Sequence, residues 1–219
     1  SYKGMYTPPT VGQRFIQYPG YNGGNDWGSA AVDAERGIII ANYNDIPNFN
    51  RLIPREEAEE RNLRPIYAGG DNTDSESDGP AEGAGDPQVG APYAIDVIDL
   101  ASGETLWDEP LGTARKNGPF GIPSHMPFKI GTPNNGGPLL TASGLIFIAA
   151  ATDDLIRAID TETGEVLWND VLPAGGQANP ITYEADGRQY VVIGAGGHHF
   201  METPIGDYVI AYALPEDGN

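Results

Sequence analysis

The stretch Val97-Ile-Asp-Leu-Ala-Ser-Gly-Glu-Thr-Leu-Trp107 returns 61 residues later as Ala158-Ile-Asp-Thr-Glu-Thr-Gly-Glu-Val-Leu-Trp168. Each copy reads as a strand, a turn at glycine and a second strand ending in tryptophan. The Asp and Ser or Thr side chains hold the turn, the glycine takes a positive φ, and the indole buries a large surface against a neighbouring sheet. Trp107 and Trp168 are therefore both expected to be largely buried between sheets. Outward from the hairpins, paired-strand patterns recur around the glycine turns at Gly37, Gly144 and Gly187, in segments beginning at Gly28, Gly137 and Asn179. The run Asp207 to Leu214 parallels the strand that starts at Asp154, at a shift of 53 residues.

Four strands per unit, repeated, describe an all-β fold of four-stranded antiparallel sheets arranged as β-propeller blades. The units cover about residues 28–112, 137–172 and 178–214, and the third stops after its third strand. Three blades are too few for a ring, since roughly 4–8 are typical, so the pattern reads as the C-terminal portion of a larger propeller.

Composition narrows the function classes. Among 219 residues, 31 acids against 12 Lys and Arg give a formal charge of −19, a field that repels a phosphate backbone and excludes nucleic acid as a partner. The 30 glycines and 19 prolines suit a turn-rich β protein. With no cysteine, disulfides, zinc-thiolate sites and thiol catalysis are ruled out. The longest apolar run, Leu145 to Ala151, is far short of the roughly 20 residues a membrane helix needs. The chain opens Ser1-Tyr2-Lys3 without an initiator Met, which reads as a processed product or an excised piece.

Only Pro54 to Leu63 looks helical, with Pro54 at the start and Glu56, Glu57, Glu59 and Glu60 near the N-terminus. Residues 69–87 have no large apolar side chain and read as a solvated, mobile acidic loop. Within it, Asp74-Ser-Glu76-Ser-Asp78-Gly79 opens like a calcium-binding EF-hand loop. Its twelfth position is Gly85 instead of Glu, so a solvated charge run is the better reading. Nucleophile-elbow, zinc-protease and phosphate-loop motifs are absent, and the three histidines show no ligand spacing.

The two tryptophan hairpins resemble the docking motifs of the quinoprotein dehydrogenases, eight-bladed propellers that carry pyrroloquinoline quinone (PQQ). Longer strings are similar to the membrane-bound glucose, quinate and polyol dehydrogenase branch: Tyr18-Pro-Gly-Tyr-Asn-Gly-Gly-Asn-Asp-Trp27-Gly, Arg51-Leu-Ile-Pro-Arg55, Gly131-Thr-Pro-Asn-Asn-Gly-Gly-Pro138, Leu172-Pro-Ala-Gly-Gly-Gln-Ala178, Ala195-Gly-Gly-His198 and Gly206-Asp-Tyr-Val-Ile-Ala-Tyr-Ala-Leu-Pro215. The resemblance implies the C-terminal part of a periplasmic PQQ-dependent dehydrogenase whose parent is anchored to the bacterial inner membrane. It implies oxidation of a small-molecule sugar, polyol or cyclic hydroxy acid, with electrons passed to a membrane quinone through another part of the protein. It also places the catalytic aspartate and the calcium ligands upstream, so this chain holds no catalytic or metal-ligating residue and is inactive alone. Relatives carry a further loop of a couple of dozen residues near Ala94 to Leu100.

The same resemblance sets Asp26 and Trp27 at the cofactor, where an indole plane packs at a flat quinone and a carboxylate meets its polar groups. Their plain structural reading is a core tryptophan beside a turn aspartate. Gly197 and His198 fall in a last-blade loop near the cofactor, where glycine lets backbone come close and the imidazole hydrogen-bonds or tunes it. The alternative is a surface loop. Asp153 matches a position at the active-site mouth, against ordinary turn formation by its side chain. His199 and His125 receive no role, and Asn134 and Asn135 read as turn chemistry. The competing function is a non-catalytic propeller segment that serves as a binding or assembly scaffold.

Overall fold

Alternation of buried and half-buried positions fixes the strands. In Ile38–Asn44 every second residue, Ile38, Ile40, Asn42 and Asn44, is buried, the period-2 signature of a strand with one face on a core. The computed structural model describes residues 4, 6–18, 20, 24, 25, 27–62, 93–118, 120, 122–199 and 201–215. The acidic loop at 69–87, its EF-hand-like run and Asp26 lie outside them.

The chain divides into two units, Ser1–Asn22 with Ile46–Gly85, and Gly23–Asp45 with Asp86–Asn219. In the first, β1 (Arg14–Gln17) pairs antiparallel with β4 (Asn48–Arg51), and the Arg14 guanidinium lies 5.1 Å from the centre of the Phe49 ring. Its helix α1 (Arg55–Glu60) is shorter than the expected Pro54 to Leu63; Pro54 takes the cap position and Glu56 and Glu57 the first turn.

The second unit holds three consecutive antiparallel sheets. Strands β2 (Ala30–Asp33), β3 (Ile38–Asn44), β5 (Tyr93–Asp99) and β6 (Thr105–Pro110) form the first in that order. Strands β7 (Leu139–Leu140), β8 (Leu145–Ile148), β9 (Leu155–Asp160) and β10 (Val166–Val171) form the second. The third has β11 (Ile181–Ala185), β12 (Arg188–Ala195) and β13 (Tyr208–Tyr212). One core joins the first sheet to the second through Ile38, Ile40, Ile95, Val97, Ile146, Ile148 and Ile159. Another joins the second to the third through Ile156, Leu172, Ile193 and Ala195. This is the propeller arrangement of radially successive antiparallel sheets.

The repeated hairpins are alike atom for atom. Asp99 Oδ1 accepts from the backbone N–H groups of Ala101 and Ser102 and from the Ser102 hydroxyl; Asp160 Oδ1 accepts from Glu162, Thr163 and the Thr163 hydroxyl in the same pattern. These bonds hold both carboxyls below the usual carboxylate range, with the amide N–H of Ser102 or Thr163 the largest cause and the hydroxyl of the same residue the next. Both strand pairs carry a register shift just before the tryptophan, leaving Leu106 and Leu167 as the extra residues.

The two tryptophans nevertheless differ. Trp107 is partly buried against the first core, donates its indole N–H to the Thr161 carbonyl at 2.8 Å, and lies so close to Gly164 that a Cβ there would sit 3.1 Å from its ring carbons. Its dock is thus the Thr-Glu-Thr-Gly turn of the following sheet. Trp168 is 39% exposed and meets the edge of the Tyr212 ring, centroids 5.1 Å apart at 72°. The expectation that both would be largely buried fails for Trp168 for a physical reason. At the 53-residue shift the Thr161-Glu-Thr-Gly164 sequence that receives Trp107 is replaced by Leu214-Pro-Glu-Asp217, and Leu214 is exposed, so the polar glycine-turn sequence has no counterpart for Trp168.

Candidate functional site

Antiparallel pairing sends every second connection to the same end of a sheet. The described residues 24, 25 and 27–29 before β2, and those of the β6–β7 connection, the β8–β9 loop at 149–154, the β10–β11 connection and the β12–β13 loop (196–199 and 201–207), therefore share one end. Trp27, Asp153, Gly197 and His198 all lie in these segments. Tight backbone contact joins the segment before β2 to the β6–β7 connection: a Cβ on Gly28 would overlap the Gly136 carbonyl, and one on Gly137 would overlap the Gly28 carbonyl. Asn179 Nδ2 donates to the Gly28 carbonyl at 2.9 Å, tying the entry of the third sheet to the residue after Trp27.

Each expected residue has a definite setting. Trp27 is 57% exposed. Gly197 has φ +71°, and a Cβ there would overlap the Pro204 carbonyl, so the turn into His198 requires glycine. His198 is half-buried, its backbone N–H donates to Thr203 Oγ1 at 2.9 Å, and its ring Nδ1 is buried without a hydrogen-bond partner. His199 stacks on it at 5.3 Å and is exposed, as is His125.

Asp153 stands apart from these. It is 1% exposed; Oδ2 accepts from the Thr113 N–H and hydroxyl, both at 2.8 Å, and from Arg157, while Oδ1 accepts from the Leu155 N–H. With both oxygens engaged inside the protein, this carboxylate ties the β8–β9 loop to the start of the β6–β7 connection. Asn134, fully buried, does similar work between sheets: it accepts from Asn42 Nδ2 at 2.7 Å and donates to the Tyr43 carbonyl at 3.2 Å.

Sequence reasoning missed Gln177, Thr203 and Asn179. Polar residues in connections have no periodic signature, and apart from the Thr203 bond to His198 their partners lie 26 to 151 residues away. A hint did exist for Gln177 in the Leu172 to Ala178 string.

The arrangement fits a flat, polar-edged ligand. An exposed indole supplies a planar apolar surface, a glycine turn lets backbone approach, and one buried imidazole nitrogen has no protein partner. A cation is not served in the same way: among the described residues no three His, Asp or Glu side chains gather as a metal site.

A tryptophan-docked β-propeller with a ligand-suited loop cluster at one end of its sheets is the class that this geometry defines. A family profile described as PQQ, "Glucose/ethanol/alcohol dehydrogenase, beta-propeller domain", matches residues 1–191, and the chain belongs to that family. It is 50% identical to the glycerol dehydrogenase large subunit of Gluconobacter oxydans (strain 621H) over 239 aligned positions, covering 99% of this chain and 32% of that protein. It is 39% identical to the quinoprotein glucose dehydrogenase of Escherichia coli (strain K12), covering 99% of this chain and 28% of the relative. The quinohemoprotein alcohol dehydrogenase of Comamonas testosteroni superposes with a TM-score of 0.56 at 17% identity, over 95% of this chain and 29% of that one, and supports the fold. The chain spans about a third of the length of the curated relatives it matches.

Proposed function

We propose that this chain forms one wall of the cofactor site in a PQQ-dependent dehydrogenase that oxidises a polyol, sugar or cyclic hydroxy acid and passes the electrons to a membrane quinone. The observation that carries the reading is the His198 Nδ1, buried without a partner at the sheet end that also presents Trp27. The likeness to glycerol dehydrogenase large subunit makes polyols the first substrates to assay.

PQQ, when bound, supplies a quinone that takes a hydride from a carbinol carbon. The residues of this chain bind and orient. Trp27 offers a flat apolar face, Gly197 allows close backbone approach, and His198 holds one ring nitrogen for a polar group on the ligand's edge. Asp26 adds a carboxylate beside Trp27 in this reading. Asp153 acts indirectly, by fixing the loop in which it lies. The group that takes the hydroxyl proton and the calcium ligands come from outside this chain, so the 219 residues alone are inactive. The complete protein works in the periplasm.

The test uses the protein expressed from its complete gene, stripped of cofactor and then supplied with PQQ and calcium. Dye-linked oxidation of glycerol, glucose or quinate should appear only with PQQ, and a quinone analogue should replace the dye. The 219-residue chain should give no turnover in the same assay. Failure of the complete protein to bind PQQ, or equal oxidation without it, refutes the reading.

A further inference from the structure

Gln177 is 3% exposed and sits between two loops of the candidate site. Its Nε2 donates to the carbonyls of Ala150 at 3.3 Å and Ala151 at 3.2 Å, in the stretch from β8 to β9 that leads to Asp153. Its Oε1 accepts from the Thr203 hydroxyl at 2.8 Å, and the Thr203 oxygen in turn accepts from the His198 backbone N–H. One threonine hydroxyl thus gives its only proton to Gln177 and its lone pair to His198. Thr203 is itself 5% exposed, so no water competes freely for either bond.

The backbone around this pair is braced as well. Gly197 N–H donates to the Gly175 carbonyl at 2.9 Å, and Gly175 N–H donates to the Pro204 carbonyl at 3.0 Å. A Cβ on Gly175 would overlap both Gln177 Oε1 and Thr203 Oγ1, so the pair has no space to shift toward that strand of backbone. The β12–β13 loop would otherwise be free to move the imidazole. A 12-residue loop between strands has many conformations, and only a few long-range bonds select one. Two of those bonds are backbone bonds at Gly175, and the side-chain bond is the one between Thr203 and Gln177.

From this geometry we infer that Gln177 and Thr203 are positioning residues for His198, a clasp that sets the imidazole in place for the cofactor and keeps the β8–β9 and β12–β13 loops in fixed relation. Neither touches the ligand. The inference rests on the proposed PQQ site and adds two residues to it that act through a third. Removing the Thr203 hydroxyl leaves a buried N–H and a buried amide oxygen unsatisfied together, and the loop relaxes to recover them from solvent. A serine at 203 keeps the hydroxyl and the clasp.

The test measures the dissociation constant of PQQ for the complete apo-protein by quenching of tryptophan emission. Thr203→Val and Gln177→Leu should each weaken PQQ about tenfold, Thr203→Ser less than about twofold. In a His198→Ala background the Thr203→Val effect should shrink to less than about twofold, because the group it positions is gone. Thr141→Val removes a hydroxyl of similar burial from the turn at the opposite end of the second sheet, and should lower the unfolding temperature without changing PQQ affinity. Equal weakening by Thr203→Val with and without His198, or weakening by Thr141→Val to the same degree, overturns the clasp while leaving the PQQ reading intact. A wild-type protein that does not bind PQQ overturns both.

Discussion

Replacing Trp107 by alanine should destabilise the chain by about 1 kcal/mol more than the same change at Trp168, although the two sit in matching hairpins. A tryptophan buries roughly 150–250 Å² when enclosed, and Trp107 is partly enclosed between its own sheet and the Thr161 to Gly164 turn. At roughly 25 cal/mol per Å² over about two thirds of that area, the lost burial amounts to about 3 kcal/mol. The indole N–H bond to the Thr161 carbonyl adds about 1 kcal/mol, so Trp107→Ala should cost about 3–4 kcal/mol. Trp107→Phe keeps most of the surface and loses the bond, for about 1–2 kcal/mol. Trp168 is 39% exposed and rests on the edge of Tyr212, so the same bookkeeping over about three fifths of the area gives about 3 kcal/mol, and with no indole bond to the following turn Trp168→Ala should cost about 1 kcal/mol less than Trp107→Ala. Equilibrium urea unfolding of the 219-residue chain, followed by far-ultraviolet circular dichroism, measures all three. A Trp168→Ala loss equal to or above that of Trp107→Ala would refute the docking argument. So would a Trp107→Phe variant as unstable as Trp107→Ala.

In the complete protein, Trp27→Ala should weaken PQQ binding by more than Trp107→Ala does at equal folded fraction; equal or reversed effects would make Trp27 a structural residue only. Because Asp99 and Asp160 are held below their ordinary range, their contribution is full above about pH 4 and disappears as the pH falls below it. Asp99→Asn should therefore reduce the difference in unfolding temperature between pH 6 and pH 3, and an unchanged difference would count against the turn bonds. Asp96 behaves oppositely: burial first, and the neighbouring Asp108 charge second, push its carboxyl up to about 6. The folded state then binds the extra proton, so stability falls as pH rises from about 4 to about 6. Asp96→Asn should flatten that limb and, allowing for partial solvent screening, add roughly 1 kcal/mol at pH 7; a variant with the wild-type slope would show that Asp96 is not its source.

What the sequence disclosed and what it withheld follow from the range of the interactions. The Asp99 and Asp160 turns are closed by residues two and three positions away, so the hairpins were readable letter by letter. The glycine turns at Gly37, Gly144 and Gly187 were readable for the same reason, whereas the burial of Asn42 and Asn44 in the strand after Gly37 was not. The pairing of β1 with β4 was not, since it joins segments more than 30 residues apart with no repeat to announce it. The exposure of Trp168 was equally hidden, because its burial depends on another sheet's turn and not on its own hairpin. In the candidate site, glycine and histidine at 197 and 198 stood out as residue types. The glutamine and threonine that hold them did not, since their identity matters only through contacts set by the fold.

The reach of Trp107 to Thr161 and Gly164 gives the stack of sheets a direction. The first hairpin is finished by its successor, as a roof tile is weathered by the tile that overlaps it. Damage should travel accordingly: loss of the Thr161 to Gly164 turn uncovers the Trp107 indole in the preceding sheet. Such nearest-neighbour dependence makes this an array with a sense of order, in which substitutions at a turn are felt one blade upstream. Variants in the Thr161 to Gly164 turn should therefore declare themselves first in the emission of Trp107, a residue more than 50 positions earlier in the chain.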